Sequence, residues 1–288
     1  MEAQQLMERL DVAARTREVI VLTGEVYQMP FWRGDESFLA LLDELAGVHR
    51  VRVAYYVRPQ HTAMEAAWRQ WGFRLPIRPS EYLRRRIRAL THFETFERVG
   101  RLAPHVSFEM RPFRDDLLQG GDVVVDFATT FLGVEDLAQT VGDVRVNRGF
   151  PLELVMLLRD AKDRFWTSQH DNEKLDEIRE VVTGWNLPES EAVRRSRRVL
   201  QRFCHRRFEP GNQRLIETLG WQTAHFVPPL ADEAEGCVDE SGLAALDELW
   251  RPTASEAERE LALRALAELL PPSRSGVEPA LAGESEGS

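Results

Sequence analysis

Residues 51 to 71 read VRVAYYVRPQHTAMEAAWRQW. The first seven residues are β-favouring and apolar on both faces, as in a parallel strand covered on both sides. Arg58-Pro59 ends the run, because Pro59 has no N–H to continue a ladder. Thr62 with Glu65 three residues later has the form of a capping box at a helix start. Met64, Ala67, Trp68 and Trp71 then recur at helical spacing and predict a core-facing stripe. A strand, an Arg, a Pro and a capped helix set a guanidinium beside a helix N-terminus, where N–H groups and the helix dipole favour an anion. Ligands of open α/β sheets gather beyond the carboxyl ends of the strands. Arg58 is therefore the first candidate for a phosphate contact; the plainer reading of the same spacing is a surface Arg paired with a carboxylate.

Upstream, residues 19–23 (VIVLT) form a short apolar run that predicts another buried strand, with Gly24-Glu25 at its carboxyl end. Phe38, Leu41, Leu42 and Leu45 mark a helix between the two runs, which suggests a right-handed βαβ unit. Downstream, Leu83, Ile87 and Leu90 line a helix predicted over residues 81–98. Residues 106–110 (VSFEM) predict a further strand, ended by Arg111-Pro112-Phe113 much as Arg58-Pro59 ends the central one. Gly120-Gly121 is a turn, and Asp122 opens an apolar helix over residues 123–131. From Pro151 onward only helical patterns occur, over 152–165, 175–182, 191–208, 213–219 and about 255–270. The last opens on Ser255 with Glu258 as its capping partner. The polar tail 271–288 lacks the apolar surface to fold. The chain reads as an α/β core near residues 15–135 followed by a helical portion.

The 288 residues are 43% hydrophobic and 29% charged, an ordinary globular composition. A net charge of −10 argues against a general nucleic-acid binder. No run approaches the ~20 apolar residues of a membrane span, and the amphipathic start lacks a signal-peptide core. Cys204 and Cys237 fit neither a disulfide framework nor a metal site, and the seven His show no ligand spacing. The expectation is a cytoplasmic protein without a metal. Of 37 basic residues only Lys162 and Lys174 are Lys.

These residues resemble sulfotransferases that use 3′-phosphoadenosine 5′-phosphosulfate (PAPS), in particular bacterial, carbohydrate-type members. VRVAYYVRPQHTAMEAAWRQW is similar to their 3′-phosphate-binding strand and helix. VSFEMRPFRDDLLQGGDVVVDFATTFLGV resembles a later strand, an R-P-F turn and a helix entered through G-D. VNRGFPLELVMLL resembles an asparagine followed by a helix, and EPGNQRLIETLG a D-N-x-x-L segment. The likeness covers roughly residues 15 to 222, in order. It implies a partial P-loop-like parallel sheet flanked by helices, with a largely helical C-terminal portion. The expected division is a sulfotransferase-like α/β domain over 1–222, a C-terminal helical extension over 223–270 and a disordered tail over 271–288.

The resemblance further implies that Arg58 binds the 3′-phosphate of PAPS and that Glu25 is the general base toward an acceptor hydroxyl. Thr62, His61, Asn147 and Arg148 fall near the implied cofactor. The implied reaction passes a sulfuryl group to a hydroxyl of a glycan or small molecule, and needs in-line positioning, charge stabilisation and a base. The chain departs from the family in two places. No K-x-G-T/S-T/S loop precedes Val19, and the Ser expected eight positions after the Arg is Ala66. A start set too far downstream, a fragment, or a non-catalytic binding module would each account for this. The last would leave an open sheet edge for a partner chain or the N-terminal helix to cover, and a protein partner or a homo-oligomer is the corresponding expectation. The Arg-rich runs 84–88 and 194–207 are of a kind that could face a sulfated or phosphorylated ligand; in the second, Val193, Leu200 and Phe203 keep helical spacing, so its Arg residues most simply form a solvated helix face.

Overall fold

A computed structural model describes residues 12, 19–21, 28–135, 150–161, 172–182, 189–222, 242–251 and 255–270. Helices α1 (Gln28–Arg33) and α2 (Glu36–Val48) precede strand β1 (Arg52–Val57). Helices α3 (Gln60–Gln70), α4 (Pro79–Arg86) and α5 (His92–Leu102) fill the crossover to β2 (Ser107–Pro112). Next come α6 (Val123–Phe127), continued by a π turn over Ala128–Leu132, then α7 (Leu152–Asp160) and α8 (Asn172–Val182). The 29-residue α9 (Glu191–Leu219), α10 (Ala245–Leu249) and α11 (Glu256–Leu269) follow. The fold is mixed α/β and mostly helical, with a small parallel sheet flanked by helices and a helical C-terminal portion.

β1 and β2 pair in parallel, with Tyr56 opposite Arg111 and Val57 opposite Pro112. Side chains alternate across a strand, so the pair has two unlike faces. Val53, Tyr55, Val57, Phe108 and Met110 pack under α1, α2, α5 and the end of α9, against Phe31, Leu39, Phe93, Val99, Leu215 and Ile216. The Phe31 ring centroid lies 5.9 Å from that of Tyr55 and 5.5 Å from that of Phe108. The opposite face carries Arg52, Tyr56, Glu109 and Arg111. β1 is therefore not apolar on both faces as its composition suggested: Arg52 and the Tyr56 hydroxyl point to polar partners.

The main core is helical. Met64 and Trp68 are fully buried, as their spacing predicted. They share one cluster with Leu83, Leu154, Leu200 and Phe203, and with Leu243, Leu246, Trp250, Leu263 and Leu266 from the C-terminal helices. Trp68 stacks on Trp250 with centroids 5.5 Å apart. Asp247 caps the start of α4, accepting hydrogen bonds from Ser80 N at 2.9 Å and Ser80 Oγ at 2.8 Å.

Several expectations are corrected. Val19, Ile20 and Val21 lie outside the sheet and are exposed, at 62%, 37% and 45%; a short apolar run does not by itself specify strand pairing. The helical pattern over 81–98 is interrupted by a 3-10 turn at Ile87–Leu90, and Thr91 (ψ 74°) leaves the helical region before α5. Conversely, the two patterns either side of Pro210 join in one helix, α9. Pro210 supplies no N–H to the carbonyl four residues earlier. The cap at Asp122 is as expected, accepting from Val124 N at 2.7 Å and Val125 N at 3.2 Å. Gly120 and Gly121 ahead of it sit at φ 65° and 69°, the left-handed region that favours glycine.

Candidate functional site

Arg58 leaves the carboxyl end of β1 directly after the buried Val57. Phe113, one residue past β2, donates its N–H to the Val57 carbonyl at 2.7 Å, which ties the two strand ends together. The Arg58 guanidinium rests on the Phe113 ring, 4.1 Å from its centroid, and the side chain remains exposed. A cation on an aromatic face keeps its planar N–H groups available at the edge. The backbone is held from beneath. His92 is buried, and its Nε2 lies 3.3 Å from the Arg58 carbonyl, to which the neutral ring donates. Burial pushes the His92 imidazole down to about 4, partly opposed by that hydrogen bond.

The first turn of α3 follows at once, but without the predicted capping box. Pro59 is the N-cap residue and has no side chain to cap with. Its carbonyl accepts both the Ala63 N–H at 3.0 Å and the Thr62 hydroxyl at 2.8 Å. Glu65 turns away instead, to Arg197 (2.8 and 3.0 Å) on α9 and to Arg69 (3.3 Å). The helix begins three residues earlier than the Thr62 cap implied, because the fixed φ of proline (−50°) already suits the helix entry. The amides of Gln60, His61 and Thr62 are first-turn donors with no carbonyl four residues back in the helix. His61 is half-buried, and desolvation lowers its pKa, offset in part by Glu65.

Beside this rim, on the polar face of the sheet, a buried carboxylate organises its neighbours. Asp126 of α6 has a fully buried side chain. Arg111 donates to it through Nε (2.8 Å) and Nη2 (2.7 Å), Tyr56 through its hydroxyl (2.7 Å) and Gln119 through its backbone N–H (3.0 Å). Burial works against ionisation of Asp126, yet these donors outweigh it and hold the carboxyl below the ordinary carboxylate range. Desolvation first, and the Asp126 carboxylate second, drive the Tyr56 hydroxyl far upward. Tyr56 meets Phe113 edge-on at 6.4 Å, so the rings and guanidinia of this face are contiguous. Arg52 extends the network by donating to Glu109 at 2.9 and 3.0 Å and to the Phe131 carbonyl at 3.3 Å.

A hollow of about 140 Å³ lies on the α9 side of the rim, at Pro210. Within its lining, Gln60 and Asn212 exchange amide hydrogen bonds at 2.7 and 3.1 Å, and both are buried. These amides satisfy each other and anchor the start of α3 to α9.

Of the residues predicted for the site, Arg58, His61 and Thr62 share one rim, with the Thr62 hydroxyl engaged by Pro59. Glu25, Asn147 and Arg148 lie outside the described residues. Sequence reasoning missed the Asp126 network. Its one local signal is a single acid inside the apolar run VVVDF. Lys174 pairs with Glu177 in its own helix, and Lys162 lies outside the described residues. In the Arg-rich run of α9, Arg194 and Arg198 pair with Glu191, while Val193, Leu200 and Phe203 are buried. Among the described residues no group of three or more His, Cys, Asp or Glu side chains is arranged to hold a metal ion, and no helix is long and apolar enough to cross a membrane. No family model, no curated protein and no solved structure matches the chain.

Proposed function

We propose that the rim at Arg58 binds a phosphorylated adenosine nucleotide of the PAPS class, and that the chain is a sulfotransferase-like protein. The observation that carries this reading is the Arg58 guanidinium, laid on Phe113 beyond the carboxyl end of a parallel strand and beside the first turn of α3. A guanidinium fork and first-turn amides are suited to a phosphate. In the transfer itself, the bond from sulfur to the phosphate oxygen breaks, a bond from sulfur to the acceptor oxygen forms, and the hydroxyl proton passes to a base, the role proposed for Glu25. The acceptor class is a glycan or small-molecule hydroxyl. Binding is tested by calorimetric titration with adenosine 3′,5′-bisphosphate. Arg58→Ala is expected to weaken it about tenfold or more, the effect of losing a charge-assisted hydrogen bond. Equal affinity in the variant overturns the assignment.

A second reading, nucleotide binding without transfer, is favoured by two particulars. The Thr62 hydroxyl is engaged by the Pro59 carbonyl, and Ala66 offers no hydroxyl at all. Transfer of the sulfuryl group from PAPS to a hydroxyl acceptor separates the two readings: turnover lost on Glu25→Gln supports transfer, and binding with no turnover supports the module.

A further inference from the structure

We propose that Arg111 is a second ligand-binding arginine of the same rim, held in register by Asp126 and Tyr56, so that the site takes a ligand with two anionic groups. This rests on the nucleotide reading of Arg58 for the ligand's identity, but its argument comes from the opposite strand.

Three observations carry it. Arg111 lies opposite Tyr56 in the sheet, one residue short of the strand ends from which Arg58 and Phe113 emerge. Tyr56 touches Phe113 edge-on, and Phe113 carries the Arg58 guanidinium, so both guanidinia belong to one continuous face. Finally, Asp126 engages only one edge of the Arg111 fork, through Nε and Nη2. A guanidinium has further N–H donors on Nη1 and Nη2. Among the described residues Nη1 has no hydrogen-bond acceptor, although the Glu109 carboxylate lies near enough to favour the charged guanidinium, and 31% of the side chain is open to solvent.

The exposed edge of the Arg111 guanidinium leaves its remaining donors open to an anion in place of water. The Asp126 carboxylate accepts from Tyr56 and Gln119 as well as from Arg111. The guanidinium is thereby fixed in orientation before any ligand arrives, which lowers the ordering cost of binding. Arg presents a planar fork to one phosphate, so two forks on one face distinguish a bisphosphate from a monophosphate. Asp126 and Tyr56 act through Arg111 and are positioning residues.

The test measures affinities for adenosine 3′,5′-bisphosphate, adenosine 3′-monophosphate and inorganic pyrophosphate on the full chain. Compared proteins are wild type, Arg58→Ala, Arg111→Lys and the double variant Arg111→Met/Asp126→Asn, which leaves no buried charge unpaired. Circular dichroism confirms folding of each. The expected result is a bisphosphate affinity that falls about tenfold or more in both Arg111 variants. Monophosphate affinity should stay within a factor of about two or three, and Arg58→Ala should weaken both nucleotides. Bisphosphate and monophosphate binding equally, with no effect of Arg111, overturns the second arginine and leaves the Arg58 reading intact. Pyrophosphate binding that needs both arginines, without nucleotide binding, overturns the nucleotide reading and keeps the paired site. Binding of none of the three overturns both. If Arg111→Met/Asp126→Asn does not fold, Arg111→Lys alone decides, since it keeps the charge and loses only the fork.

Discussion

The two faces of the β1–β2 sheet are built from the same twelve residues of strand and do opposite work. One face presents Val53, Tyr55, Val57, Phe108 and Met110 to α1, α2, α5 and α9, and its cohesion is non-directional burial. The other presents Arg52, Tyr56, Glu109 and Arg111 to α6 and the turn after it, and its cohesion is directional: Arg52 donates to Glu109, and Tyr56 and Arg111 donate to Asp126. The first face tolerates neighbours of the right size. The second requires each partner to be present, since an unmatched buried charge costs far more than the pair contributes. Such a face is costly as pure scaffold, and its position beside the strand ends suits it to hold a ligand.

The largest effect should come from breaking the apolar face. Phe31→Ala, at a ring in contact with Phe38, Tyr55 and Phe108, is expected to cost ~3–5 kcal/mol in urea unfolding; a loss under ~1 kcal/mol would show that this face is not core. Next, acid should act through His92. Its folded pKa of about 4 lies below the ordinary value of 6.5, so the unfolded chain takes up the proton first. Stability is then full above about pH 6.5 and declines to pH 4, by about 3 kcal/mol in all. His92→Gln, which keeps a donor for the Arg58 carbonyl, should flatten that slope. An unchanged slope in the variant would assign it elsewhere.

On the polar face, Asp126→Ala should cost about 2–3 kcal/mol, below the deep-core figure because water reaches Arg111. Asp126 has its pKa lowered on folding. Its contribution is therefore present above about pH 4 and is lost as pH falls below that value; the two acid transitions are separable by titrating each variant. Tyr56→Phe, removing one hydrogen bond to Asp126, should cost about 1 kcal/mol. A double-mutant cycle between Tyr56 and Asp126 that shows no coupling would break the picture of a single network.

What could be read from the sequence was what depends on neighbours in the chain. The helical stripe of Met64 and Trp68, the strand ending in Arg58 and the cap at Asp122 all follow from spacing of a few residues. The capping box at Thr62 failed because Pro59 set the helix start by its own ring, and because Glu65 found a partner 132 residues away in Arg197. The polar character of one sheet face was hidden for a similar reason. Tyr56 and the alkyl stem of Arg52 look β-favouring in isolation, and only the pairing with β2 and the packing of α6 reveal that they serve Glu109 and Asp126. Arg58 was legible as a position, at the end of a strand before a helix; its seat on Phe113 was not, since the two are joined only by the parallel pairing of β1 and β2.

The central claim is tested most directly by calorimetric titration of the full chain with adenosine 3′,5′-bisphosphate, beside Arg58→Ala. Arg58 is exposed, so its removal should leave folding within about 0.5 kcal/mol of wild type. The account predicts saturable one-to-one binding that weakens about tenfold or more in the variant. A folded wild-type chain that releases no heat and shows no thermal shift with this nucleotide would contradict it.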